Sequence, residues 1–498
     1  MNSAWDRLVE QLRVLRNISS ANELLGWDQH CYLPRRGAGP RAEQMATLAA
    51  IYHEKKVDDS LWETIEAAAS DSALTAEQGR AVEETRKAVE RARRLPTDLI
   101  RRLTQKESDS YAQWIEARTA NDFNVAAPLL EEIVKLKQEF AATLEPSLPA
   151  YDVLLDQYEP DATGAEIATL FEEVRPALSD LTEKLRPFSD HSQGPFCAPF
   201  PSAEQNLFFL SLSERLGFDL DRGRLDLTVH PFCSSPSIDD VRLTYRIDEA
   251  DIFIGLNPLI HEMGHGFYEQ GLVREQWGTP LAEACSLGIH ESQSLLWEKH
   301  VLQSRAFAEY LEPLLIQRFP DAMGGVQADT LYRHANRIRI GSVRLESDEV
   351  SYGLHIIIRF ELERDLVEGR IQVKDLRDAW NEKYREYLGV TPDSDLRGIL
   401  QDVHWYAGLI GYFPTYLLGA MNAAQLFETW TERNPKFEHE ILSGQFGNLL
   451  EWLRQSIHVH GKSYPARELM KRATGVEPSP RFLISYLGEK YLTLVAPK

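Results

Sequence analysis

The stretch Asn257-Pro-Leu-Ile-His-Glu-Met-Gly-His-Gly266 constrains this chain more than any other, because its polar spacing makes chemical sense only on a helix. There His261 and His265 stand one turn apart on one face, so both imidazoles reach a single metal ion. Glu262, offset around the axis, reaches water beside that ion, which is how zinc hydrolases activate water. Local chemistry supports the helix. Asn257 is a good N-cap, Pro258 suits the first helical position, where no amide donor is needed, and Leu259 and Ile260 open an apolar run. Two ordinary helix histidines would show the same spacing, so the rest of the chain must supply context.

A catalytic zinc site takes a third protein ligand and leaves a fourth position open. The downstream candidates are Glu269, Glu275, Glu283, His290, Glu291 and Glu298. With 280–300 read as a helix, Leu281, Ala284, Gly288, Glu291 and Leu295 step by three and four, which puts Glu291 on the core-facing stripe. A buried carboxylate without a partner is costly, and a cation relieves that cost. Gly288, one turn earlier, leaves room for another element to come close. His290 is one residue off the stripe and reads as a group behind the ligands or facing substrate. Glu269 and Glu275 sit in or beyond the Gly271 break.

Around this centre the chain reads as mainly α. Trp5, Leu8, Val9, Leu12 and Leu15 share a helical face with Asn2 or Ser3 as cap, and a short loop is expected after them. Three or four helices are expected between Asp58 and Leu144, with breaks at Pro96 and Asn121-Asp122. The Gly- and Pro-bearing stretch Ser189 to Ser202 is the candidate hinge, separating a helical region over 1–188 from a catalytic region over 203–498. Alternation in Leu225–Val229 and Val241–Ile247, with the apolar run Ile252–Ile254, predicts a small sheet beside the zinc helix. An edge strand there is suited to holding an extended peptide.

Charge narrows the partners. A net charge of −22 over 498 residues argues against duplex DNA and against an anionic membrane. The basic runs Arg91-Ala-Arg-Arg94 and Arg101-Arg102 read as solvated helix faces paired with nearby Glu. No apolar run has transmembrane length and the first residues lack the features of a secretory signal, so a cytoplasmic protein is expected. Cys31, Cys197, Cys233 and Cys285 are scattered without a Cys-x-x-Cys pair and read as buried thiols.

Several motifs then occur together. His261-Glu-Met-Gly-His265 is followed by His290-Glu-Ser-Gln-Ser294 and Trp297-Glu298, and preceded by His230-Pro-Phe232 and Asp240-Val-Arg-Leu-Thr244. Gly398-Ile-Leu-Gln-Asp-Val-His-Trp405 and Gly411-Tyr-Phe-Pro-Thr-Tyr416 come later, and Trp27-Asp28 and Pro34 lie near the start. In this order they resemble the carboxypeptidase Taq family of metallocarboxypeptidases over nearly the whole chain. Two departures stand out. Ser347 replaces the alanine of the family's Ile/Val-Arg-x-x-Ala-Asp pattern, and Cys31-Tyr-Leu-Pro34 lacks the usual methionine before the proline.

The resemblance implies a helical body with a deep substrate groove, one wall of it from residues 1–188. It also implies a homodimer, zinc or cobalt as the metal, and release of single residues from free peptide C-termini with broad specificity. Recognising a free carboxylate is work for arginine, whose planar fork makes two parallel charge-assisted bonds. Arg242 and Arg344 are the arginines in family-like motifs, and Arg359 is a weaker candidate. By resemblance Arg344, His404 and Tyr412 line the terminal pocket, Arg242 closes the far end of the groove, and His230 and His290 contact substrate. Glu262 takes the water proton, and His404 or Tyr412 supplies the donor to the oxyanion. The rest of the aromatic cluster, Trp405, Tyr406, Phe413 and Tyr416, reads as core. A helical-groove zinc endopeptidase or a silent peptide-binding scaffold would share part of this pattern.

Overall fold

The first helix runs from Ala4 to Cys31, and Ser3 closes a capping box on it: Ser3 Oγ accepts the Asp6 amide at 3.0 Å and the Asp6 carboxylate accepts the Ser3 amide at 3.0 Å. The loop expected after Leu15 does not form. Arg16 and Ser19 both reach Glu23, at 2.9 and 3.2 Å, across the expected break, and the helix continues. The computed structural model describes residues 3–192 and 194–496, so Asn2, the other cap candidate, lies outside the described residues. Among these residues it has 21 α-helices and one three-stranded sheet.

Four helices follow between Asp59 and Leu144, with Pro96 and Asn121-Asp122 at the breaks. Asn121 takes the left-handed conformation (φ 51°) that ends one helix, and the Asp122 side chain caps the next. The basic runs are neutralised by acids: Arg93 pairs with Asp59 at 2.7 Å, Arg101 with Asp98 at 2.7 Å, Arg91 with Asp156, and Arg102 with Asp98 and Glu139. A large apolar core spans Leu99 to Leu494, and a smaller one joins the first helices from Leu8 to Val89. The stretch after Ser189 is tied to the body by backbone bonds from Asp190 to Ile338 (2.8 Å) and from Phe200 to Glu249 (2.7 Å).

The sheet has β1 (Gly223–Leu227), β2 (Cys233–Ser237) and β3 (Asp240–Tyr245) in the order β1-β3-β2, with β3 parallel to β1 and antiparallel to β2. Alternation predicts β1 and β3. It misses β2, whose Cys-Ser-Ser-Pro-Ser has no apolar period and pairs at the edge with an irregularity around Pro236. Ile252–Ile254 does not extend the sheet. Asp251 Oδ1 accepts the Phe253 amide at 3.1 Å and turns the chain into the helix Phe253–Gly271.

That helix therefore begins a turn before the expected start, with Asn257 and Pro258 inside it. Proline cannot donate to the carbonyl four residues back. The freed Ile254 carbonyl accepts Arg246 Nε–H instead, at 3.1 Å. The helix read over 280–300 is likewise in pieces: a short turn at Pro280–Ala282, a helix Leu287–Leu295 capped by Ser286, and a wider π-helical turn over Leu296–Leu302.

Of the four free thiols only Cys285 is buried, and Cys197 is exposed, so the expectation of four buried cysteines is corrected. No described helix is long and apolar enough to cross a membrane.

Candidate active site and metal centre

His261 and His265 face the same side of their helix, with ring centroids 5.0 Å apart. Their Nε2 atoms lie 3.7 and 3.4 Å from one oxygen of Glu291. The three ligand atoms are within 4.8 Å of one another, close enough to share one ion. Two imidazole nitrogens and a carboxylate oxygen are a donor set that suits a divalent metal and leaves a position open.

Glycines let these side chains meet. A Cβ on Gly264 would lie 2.5 Å from the backbone of Gln293 and Ser294, so the helices that carry the histidines and Glu291 touch backbone to backbone there. A Cβ on Gly419, in the helix Pro414–Arg433, would lie 2.6 Å from Glu291 Cγ. That helix packs directly against the Glu291 side chain. Gly288 is also a close approach, and what arrives is the Glu159 carboxylate, which accepts the Gly288 amide near the start of the Glu291 helix.

Burial pushes Glu159 up to about 7, against the pull of its bonds to Gly288 and Ser286. Its folded value exceeds its unfolded one, so its contribution to stability is full below about 4.5 and is lost as pH rises through 7. Glutamine keeps an acceptor for Gly288 and cannot ionise. The stability of Glu159→Gln relative to wild type is expected to rise between pH 5 and pH 8.5, by an amount on the order of 3 kcal/mol or less. Parallel thermal melts at the two pH values check it, and a constant difference would contradict it.

Behind this cluster, Glu298 Oε2 takes a hydrogen bond from His261 Nδ1 at 2.9 Å, while its other oxygen pairs with Lys299 at 2.7 Å. A donating Nδ1 leaves the Nε2 lone pair directed at the cluster. Glu298 reaches this position from the π-helical turn, a distortion common at functional sites. His265 stacks on His290 at 4.4 Å, and His290 is bonded to Glu269 at 2.9 Å. The Glu298→Gln variant is expected to lose roughly 10–100-fold in metal affinity. Competition with a chromophoric chelator measures this.

The charges are strongly coupled. Burial opposes a charged His261, but Glu291 and Glu298 outweigh it and push the imidazole up to about 9. Burial also opposes a charged Glu298, which Lys299 and His261 hold down to about 2. Burial, with His290 beside it, drives His265 down to about 4. Glu262 is pushed up to about 7, mainly by burial, with His261 pulling the other way. A divalent cation among these groups competes with the proton on His261 and supplies the positive charge that Glu291 and Glu298 draw to it.

Two cavities meet at His261 and Glu262. One, of about 420 Å³, is lined by Glu291, Arg344, Tyr352 and Tyr416 and runs inward to Leu295, Leu417 and Leu487. The other, of about 660 Å³, is lined by His230, Asn257, His334, Arg337 and Arg339.

Arg344 is buried with its fork on Asp402 (2.7 Å) and on the Tyr352 hydroxyl (2.9 Å). Arg359 holds the other oxygen of Asp402 at 2.6 Å. Two guanidiniums on one carboxylate leave a surplus positive charge beside the inner cavity. His404 shares a hydrogen bond with the Tyr416 hydroxyl at 3.2 Å, and burial drives it down to about 4, so it is neutral at pH 7. Tyr412 is bonded to Tyr416 and is pushed up to about 12 by burial and by Glu291.

The site residues expected from sequence thus fall into groups. His261, Glu262, Glu291 and Arg344 line the inner cavity, and His230 the outer one. His265 completes the metal cluster, and His404 and Tyr412 reach the inner cavity through Tyr416. His290 stands behind His265, bonded to Glu269. Arg242 lines neither cavity. Its fork closes on Asp240 (2.8 and 2.9 Å) over the Trp27 ring. Ser347, the departure near Arg344, donates to the Arg344 carbonyl at 2.6 Å.

Tyr416, expected from the sequence to be core, lines the inner cavity instead, and sequence reasoning assigns no role to Tyr352 or to the anchor Asp402. Tyr416 had a signal: it is one turn from Tyr412, at the start of a helix led by Pro414.

A family model described as carboxypeptidase Taq (M32) metallopeptidase matches residues 7–491. The chain is 38% identical to thermostable carboxypeptidase 1 of Thermus thermophilus, covering 99% of each. It is 35% identical to carboxypeptidase 1 of Bacillus subtilis, covering 97% of each. Among solved structures, the M32 carboxypeptidase from Deinococcus radiodurans R1 superposes with a TM-score of 0.96 at 36% identity over 99% of both chains. A Pyrococcus furiosus carboxypeptidase superposes at 0.95, with 32% identity over 99% of both. The chain belongs to the carboxypeptidase Taq (M32) family and is a metal-dependent carboxypeptidase.

Proposed function

We propose that the enzyme uses zinc, with cobalt as a workable substitute, held by His261, His265 and Glu291. It releases single residues of broad identity from peptides with free C-termini. The observation that carries this reading is that the metal cluster and Glu262 share a cavity with Arg344, where the surplus positive charge of the Arg344-Asp402-Arg359 group awaits a carboxylate. Bound there, the metal supplies a lowered pKa for the attacking water and polarisation of the scissile carbonyl.

The protein groups do the rest. Glu262, buried and held near 7, accepts the water proton and returns it to the leaving amine. The hydroxyls of Tyr412 and Tyr416, both protonated at neutral pH, donate to the developing oxyanion, and His404 orients the pair. The terminal carboxylate draws on Arg344, with Tyr352 between them as a further donor. His230 contacts substrate at the mouth of the outer cavity. His290 acts through His265, and Arg242 bounds the far end of the groove from the sheet.

In this reading residues 1–188 supply one wall of the groove, to which Leu178 contributes, and residues 203–498 carry the chemistry. The enzyme works in the cytoplasm as a homodimer. Paired peptides that differ only in a free or amidated C-terminus test the reading. A carboxypeptidase trims the free peptide and stalls on the amide, whereas equal cleavage of both would favour an endopeptidase.

A further inference from the structure

Six carboxylates and four cations line the outer cavity, and the arginines among the cations differ in whether an acid neutralises them. Arg246, Arg337 and Arg339 all line it, in a chain of net charge −22. Arg337 is engaged, donating to the Ser192 carbonyl at 2.8 Å and lying 3.6 Å from Asp251. Asp251 is itself shared with His334 at 2.8 Å. Arg339 feels the Asp190 carboxylate from a distance but makes no such pair. Among the described residues no carboxylate lies within 4.0 Å of its guanidinium, and its Nε is buried without a hydrogen bond.

Its backbone is pinned to Asp348 by the Arg339 amide (3.0 Å), so the side chain projects from a fixed wall. Arg246 is exposed and also lacks a carboxylate within 4.0 Å among the described residues; its one bond is to the Ile254 carbonyl at 3.1 Å. Arg337 and Arg339 crowd each other's charge: burial and the neighbouring Arg339 together hold Arg337 below the ordinary arginine value. A guanidinium with a buried, unpaired Nε beside open space is set to receive an anion.

The proposed carboxypeptidase reading, on which this inference rests, fixes which part of a substrate reaches that wall. The terminal residue occupies the inner cavity beside Arg344, so the chain on the amino side of the scissile bond leaves past Glu262 into the outer one. We propose that Arg339, with Arg246, forms a subsite for acidic side chains on the amino side of the scissile bond, so that the enzyme selects acidic over basic peptides there. The subsite leaves the choice of terminal residue open, since that side chain enters the other cavity.

The test uses zinc-loaded full-length enzyme and three N-blocked peptides that share one C-terminal residue and carry Glu, Gln or Lys at the upstream positions. Wild type is expected to rank kcat/KM as Glu over Gln over Lys, with about fivefold between the extremes at low salt, the size of a solvent-exposed charge pair, and less at high salt. Arg339→Gln should bring the Glu-to-Lys ratio close to one, and Arg339→Glu should invert the order, which a folding defect cannot do. A Glu-to-Lys ratio in either variant equal to that of wild type would overturn the subsite, as would an equal loss on all three peptides. Failure of wild type to release a residue from any of them would instead overturn the carboxypeptidase reading beneath it.

Discussion

Replacing Glu291 with alanine is expected to abolish turnover by removing the metal. The two histidines share one turn of one helix, and the third ligand comes from a separate helix held against the first at Gly264. Losing it leaves two imidazoles and two open positions. The fall in affinity should exceed the roughly 10–100-fold that an outer partner such as Glu298 is worth. Zinc per chain after dialysis, measured by elemental analysis, should drop from one toward zero while circular dichroism stays helical. An active, zinc-bearing Glu291→Ala enzyme would show that the metal sits elsewhere.

Glu262→Gln is expected to separate binding from chemistry. The side chain is 8% exposed and lines both cavities, and glutamine preserves its shape without its basicity. Zinc content should match wild type while kcat falls by about 10²–10⁴-fold, the range for a positioned proton-transfer group. A variant with normal kcat would refute Glu262 as the base.

How much of this was legible in the sequence depends on whether a residue's role is local. The His261-Glu-x-x-His265 face follows from helical periodicity alone, and Glu291 from the phase of a few residues around it. That phase survives even though the segment breaks before Ser286, because Gly288, Glu291 and Leu295 all lie in the intact helix. The helix starts earlier than the sequence predicts because Pro258 looks like a first-turn residue, and a side-chain donor from just past β3, Arg246, lets it sit deeper.

Roles set by tertiary contact were hidden. Glu298 looked like one more candidate ligand, and its bond to His261 depends on a π-helical turn that no spacing announces. Gly264 and Gly419 carry no chemical signature, yet their missing side chains let other elements pack directly against the segment that carries Glu291. The arginines divide in the same way. Motif membership singled out Arg242 and Arg344 equally, but Arg242 spends its fork on Asp240, two residues away, whereas Arg344 meets Asp402 from a distant part of the chain beside the metal cavity.

The most direct measurement is an anomalous difference map from crystals of the zinc-loaded enzyme, with data collected on both sides of the zinc absorption edge. One zinc peak per chain is expected, bonded to His261 Nε2, His265 Nε2 and a Glu291 oxygen, with Glu262 beside the open position. A fully active crystal preparation whose zinc peak lies away from these three residues, or that shows none, would contradict it.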